Sequence, residues 1–185
     1  MKHPTKQECF RLLEEYQTPE HVKRHCRAVA LTACTIAGAL NEKGYALNLD
    51  LILAAGLLHD IARVEDKHWE VGADFLLSLG YQQESDIVRV HMTYSPFSPV
   101  EKITETDMVC LGDRLVMEDQ YVGLDVRIQY VIDKMKRKHH EDAIPHVLEK
   151  SEETSRFIRD LEGVLGKTIE ELMATAGAKD RQQYE

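Results

Sequence analysis

The sequence predicts an all-α fold, a compact multi-helix bundle in a single domain over residues 1–185. Three observations carry that expectation. The chain has 185 residues, within the roughly 100–200 that one core organises. At 43% hydrophobic and 30% charged residues it can bury a sizeable core, which excludes a disordered tail or a fibrous repeat. Its apolar residues recur at the spacing of buried helical stripes, and no set of segments reads as a convincing sheet.

Thr18, Pro19 and Glu20 resemble an N-cap followed by Pro at the first helical position, and Gly44 stands where that helix would stop. Val22, Cys26, Val29, Ala33, Ile36, Ala37 and Leu40 form its apolar stripe. Asn48 or Asp50 can cap the next helix, LDLILAAGLLHDIARV, which is apolar nearly all round and therefore central. A third helix is expected over Trp69 to Leu79 and a fourth over Glu84 to Met92. The alternation of Val88, Val90, Met92 and Tyr94 leaves a strand open for the last of these. Tyr94 to Ile103, with SPFSP inside it, reads as a loop long enough to border a site. Helices are then expected over Glu105 to Asp119, Leu124 to His139, Pro145 to Leu165 and Thr168 to Ala176.

A net charge of −9 has the wrong sign for gripping nucleic acid through its phosphates, so stable nucleic-acid binding is not expected. The longest apolar run, Leu51 to Leu58, falls well short of the roughly 20 residues that cross a bilayer. The start, MKHPTKQECF, lacks a signal peptide's apolar stretch, and a cytoplasmic location with no membrane partner is expected. Four cysteines without a CxxC pair read as reduced packing residues. No P-loop, dinucleotide-binding glycine motif, GxSxG elbow or HExxH is present.

The polar residues that break the apolar pattern carry the chemistry. His59 and Asp60 stand consecutively in the most apolar segment, where an ionised carboxylate costs several kcal/mol unless a cation or donors compensate it. Asp113 sits among Val109, Cys110, Val116 and Met117, and His25 lies between Val22 and Val29. Singly, each has a plain explanation: a satisfied histidine, or an acid paired with Arg114. A divalent metal satisfies all of them at once. Mixed imidazole and carboxylate donors suit Mn, Fe, Co, Ni or Zn better than Mg, which stays open.

The set H…HD…D, with LILAAGLLHDIAR around the adjacent pair, resembles the HD-domain superfamily of metal-dependent phosphohydrolases. VKRHCRAVALTACTIAGALNEKG is similar to that family's first ligand helix and VCLGDRLVMEDQYVGLDVRIQYVIDKM to its last, so the motif-bearing core covers about 20–135, with helices at 145–176 packing on it. The resemblance implies that His25, His59, Asp60 and Asp113 hold one ion. His68 in HWEVGADFLL and His91 in VRVHMTY occur where some members bind a second. Many members carry a His-His pair at the latter place, whereas here Met92 follows, so the second ion stays open. Exposed first-turn and helix-end positions are the alternatives for these two histidines.

The implied activity is hydrolysis of a small phosphoester, a nucleotide or cyclic nucleotide being the type that fits, with Asp60 and Arg63 as catalytic residues. Arg63, one turn beyond His59, is the candidate phosphate clamp; an ion pair with Glu65 or Asp66 is its alternative. Two lesser features are a His21/His25 face at i,i+4 and the basic run KMKRKHH, read as solvated. The implied partner is a small phosphorylated substrate, and a homo-oligomer is left open. A non-catalytic helical module that binds metal or ligand for regulation uses the same residues and is the rival reading.

Overall fold

The computed structural model describes residues 3–180; the outermost residues of the expected 1–185 domain, 1–2 and 181–185, lie outside it. It is 71% helical with a hairpin of four strand residues, an all-α bundle. In chain order the helices are α1 (Lys6–Glu15), α2 (Glu20–Glu42), α3 (Leu49–Leu58), α4 (His68–Ser78), α5 (Gln82–Val90), α6 (Glu105–Leu115), α7 (Leu124–Arg137), α8 (Ile144–Leu165) and α9 (Ile169–Asp180). No helix among the described residues is long and apolar enough to cross a membrane.

α3 lies at the centre because it is apolar on every side. Leu51, Ile52 and Ala55 join a core with α2, α6, α8 and α9, built from Ile36, Leu40, Met108, Leu111, Phe157 and Leu161. Ala54, Leu57 and Leu58 join a second core with α1, α4 and α5, including Leu13, Ala73, Leu76 and Val88. Two glycines let the layers close. A Cβ on Gly56 would stand 2.8 Å from the Ala30 Cα, and one on Gly112 would stand 3.0 Å from the Val29 carbonyl oxygen. Glycine at these positions seats α2 against both α3 and α6.

Several expectations need correction. α1 is an added helix, begun by a capping box in which Thr5 and Glu8 exchange hydrogen bonds. Thr18 does not cap α2; it is buried, and its hydroxyl donates to the Ile61 carbonyl at 2.7 Å. Asn48 is the cap of α3, accepting from the Asp50 and Leu51 amides. The central helix stops at Leu58 instead of running to Val64, because the chain tightens into i,i+3 turns: the Ile61 amide bonds Leu58, Arg63 bonds Asp60, and Glu65 bonds Ala62. Asp60 therefore lies beyond the helix that was expected to carry it. The segment expected over 84–92 is helical from Gln82 to Val90, with His91 as C-cap, which resolves its strand alternative.

The helix expected to reach Asp119 ends at Leu115. Val116–Met117 and Gln120–Tyr121 then pair as β1 and β2, a short antiparallel hairpin with Glu118 at φ +54°. Tyr94 to Ile103 is an ordered connection that includes a 3-10 turn at Val100–Lys102.

That connection is organised by Asp107, which is 0% exposed. Its carboxylate accepts from the Tyr94 hydroxyl, the Ser98 and Thr104 amides, and the Thr104 hydroxyl, all at 2.7–2.8 Å. Asp107→Ala strands these donors. It is expected to cost about 2 kcal/mol, read as a lower denaturation midpoint with an unchanged denaturant slope.

Candidate metal centre

Six side chains from separate places in the chain converge at one end of α3. α2 presents His25; His59 is the C-cap of α3, and Asp60 follows it; His68 opens α4; His91 is the C-cap of α5; α6 presents Asp113. His25 Nε2 stands 3.1 Å from Asp113 Oδ1, and His59 Nε2 stands 3.8 Å from the same oxygen and 3.8 Å from Asp60 Oδ2. On the other side, Asp60 Oδ1 faces His68 Nε2 at 3.1 Å and His91 Nε2 at 3.5 Å. The two oxygens of Asp60 thus look into two different groups: His25 with His59, and His68 with His91.

Three of the imidazoles are oriented by main-chain oxygen. His59 Nδ1–H donates to the Gly56 carbonyl at 2.8 Å, His91 Nδ1–H to Val88 at 2.7 Å, and His25 Nδ1–H to Glu118 at 2.7 Å. With Nδ1–H committed to a carbonyl, each ring in its neutral form turns a bare Nε2 lone pair inward. This is the outer-shell arrangement of metal-ligating histidine. Burial favours the neutral form for His59, whereas at His25 and His91 burial is outweighed by Asp113 and Asp60, which raise both rings and which a cation would displace as partners.

His59 Nε2, Asp60 Oδ1 and His91 Nε2 are buried without a hydrogen-bond partner among the described residues. Orphaned acceptors aimed at one another are costly by themselves and are satisfied by a cation.

The electrostatics agree. Burial would raise the Asp60 carboxyl, but His59, His68 and His91 outweigh it and hold it well below the usual carboxylate range. Burial works against Asp113 too, and its hydrogen bond with His25, with His59 nearby, brings it below that range. Burial pushes the His59 ring down despite the two acids beside it, so it is neutral at neutral pH. Ionised oxygens and a neutral ring nitrogen form a donor set for a divalent transition metal.

The simpler alternatives hold for His25, whose two ring nitrogens are partnered by Glu118 and Asp113, and fail for the other residues. Arg114 donates to the Thr154 hydroxyl and the Tyr94 carbonyl and lies over the Phe97 ring, leaving Asp113 to His25. His68 and His91 are each 4% exposed, so neither is a surface residue. His21 is exposed and belongs to neither group. Arg63 pairs with neither Glu65 nor Asp66: its Nε stands 3.3 Å from Asp60 Oδ2, and its Nη1 stands 3.2 Å from His68 Nδ1.

An open cleft of about 650 Å³ leads to this cluster, with Arg63 in its lining. Its outer wall holds Arg127, Tyr130 and Lys134 from α7 and Lys150 from α8. The sequence reading missed Arg127, Tyr130 and Lys150 and took Lys134 as part of a solvated basic run, although the 127, 130, 134 spacing on one helix face was available to it. The carbonyls of Gly56, Val88 and Glu118 carried no side-chain signal at all. The cysteines are free, as packing residues would be.

The HD domain family matches residues 22–118, a span that contains all six converging side chains. The chain belongs to the HD-domain family. HD domains are metal-dependent phosphohydrolases that bind divalent metals, and the two His/Asp groups here could hold such ions. The HD-domain chain is also 26% identical over 136 residues to an uncharacterized protein of Methanocaldococcus jannaschii, covering 65% of this chain and 80% of that one. No solved structure matches it significantly.

Proposed function

We propose that this HD-domain protein hydrolyses a small phosphoester, of the nucleotide or cyclic-nucleotide type, at a centre of two divalent transition-metal ions. The observation that carries the reading is the inward-facing set of orphaned acceptors, with Asp60 offering one oxygen to each group. His25, His59 and Asp113 would hold one ion and His68 and His91 the other, with Asp60 shared between them. Mn, Fe, Co, Ni or Zn suits these donors.

Bound there, the metal supplies Lewis-acid charge at a phosphoryl oxygen and acidifies water. The protein's own contribution is positional. Asp60 fixes Arg63 at the mouth of the cleft, where the guanidinium clamps an equatorial phosphate oxygen. The carbonyl bonds to His25, His59 and His91 keep the rings from rotating, which preserves an in-line approach of water to phosphorus opposite the leaving oxygen.

Elemental analysis of the purified chain, combined with assay against phosphomonoesters, phosphodiesters and nucleotides, tests the reading. Two ions per chain and turnover of one substrate class are expected. Stoichiometric metal with no turnover under Mn, Co, Ni, Fe or Mg would replace the enzyme with the binding module. His68→Ala and His91→Ala should each lower metal content toward one ion, and unchanged content in both would reduce the centre to a single ion. Chelation should lower Tm, since the buried acceptors lose their partner.

A further inference from the structure

The cleft is lined by six cationic side chains, and half of them are already engaged. Arg24 pairs with Asp119 at 3.2 Å, Arg63 with Asp60 at 3.3 Å, and Arg114 bonds Thr154 at 2.8 Å. The three from α7 and α8 differ. Arg127, Lys134 and Lys150 form no ion pair among the described residues; the Arg127 guanidinium lies over the Tyr130 ring, and its Nε is buried without a hydrogen-bond partner. Glu153, one turn beyond Lys150, is taken up by the Ser95 hydroxyl and the Phe97 amide.

Three cations outside any ion pair thus share one wall of the cleft in a chain of net charge −9. Two of them feel like charge nearby: burial, together with Lys138, Arg63 and Arg127, pushes the Lys134 ammonium down, and burial with Arg114 does the same to Lys150. Holding like charges together unpaired costs free energy that an anion would recover.

Resting on the two-ion reading above, we propose that Arg127, Lys134 and Lys150 form a second anion subsite, which takes the non-reacting phosphate of a substrate carrying at least two phosphate groups. Charge matching favours this over a single phosphate. Two divalent ions set against the Asp60 and Asp113 carboxylates already offset one phosphate dianion of about two negative charges. The α7–α8 cations exceed that need.

The cleft volume agrees, since about 650 Å³ falls in the range of roughly 300–1,000 Å³ typical of small-molecule sites and far exceeds one phosphate. Val22, Met92 and Tyr130 give the same cleft apolar surface for an organic moiety. The wall lies beyond residues 22–118, the segment matched by the HD family.

The test measures equilibrium binding of inorganic phosphate and of pyrophosphate to the metal-loaded full chain, at buffered free metal, with metal content checked in every sample. Pyrophosphate should bind at least about tenfold more tightly than phosphate, and a Lys134→Gln, Lys150→Gln double variant should lose that advantage while keeping its phosphate affinity and its ions. Lys138→Gln, on the exposed end of α7, should change neither.

Equal affinity for the two anions in the native chain, or a pyrophosphate preference unaffected by the double variant, overturns the subsite and leaves the metal-centre reading intact. Loss of phosphate and pyrophosphate binding together in the double variant also overturns it, because the wall would then serve the reacting phosphate. A native chain that holds no ions overturns the two-ion reading and the subsite with it.

Discussion

Asp60→Ala is expected to strip the metal from both groups at once and to abolish hydrolysis. The reason is geometric: Asp60 Oδ1 faces His68 and His91 while Oδ2 faces His59, so one side chain serves both positions. Loss of a Lewis-acid centre removes several kcal/mol of transition-state stabilisation, on the order of a thousandfold in rate. An acid on the surface would instead cost about 0.5 kcal/mol or less in stability and leave metal content alone. Elemental analysis beside a turnover assay separates these outcomes. Two ions retained in the Asp60→Ala protein would remove Asp60 from the ligand set.

Gly56→Val should cause the largest loss of stability and should damage the centre from a distance. Its first side-chain carbon would lie 2.8 Å from the Ala30 Cα, a main-chain atom that cannot swing aside. The remedy is to part α2 from α3, at about 3 kcal/mol. In a domain of this size that lowers Tm by roughly 10 °C. Because α2 presents His25 and α3 ends in His59, the same parting widens the first group, and metal content should fall with Tm. Gly38, also on α2, has nothing within 4 Å of its notional Cβ. Gly38→Ala should therefore be neutral or stabilise the helix by up to about 1 kcal/mol. Equal behaviour of the two variants would refute the close-packing account.

The positions of the helices were legible because an apolar stripe is what a helix needs in order to pack. Their ends were less so, since hydrophobic spacing reports burial and not backbone conformation. Ile61 and Ala62 are fully buried yet lie in turns, so the pattern ran on past the true end of α3 at Leu58. Val116 is buried in a strand for the same reason. α1 went unnamed although its capping box, TKQE, was readable.

Around the centre, Asp60, Asp113 and His59 stood out because polar groups in apolar surroundings demand an explanation. His68 and His91 had no such contrast and entered only through the family resemblance. Lys134 stood in the basic run KMKRKHH, which reads as a solvated face, while Arg127 and Lys150 carried no signal; only the fold could show that all three border a cleft.

The ring-orienting bonds of His25, His59 and His91 end on peptide oxygens, an atom that every amino acid supplies equally. Mutational drift at Val88 or Glu118 can therefore exchange the side chain without erasing the acceptor. Inheritance of this centre then depends on a few coordinating side chains and on the path of the main chain. Lineages can diverge widely at the surrounding positions and still keep their imidazoles aimed.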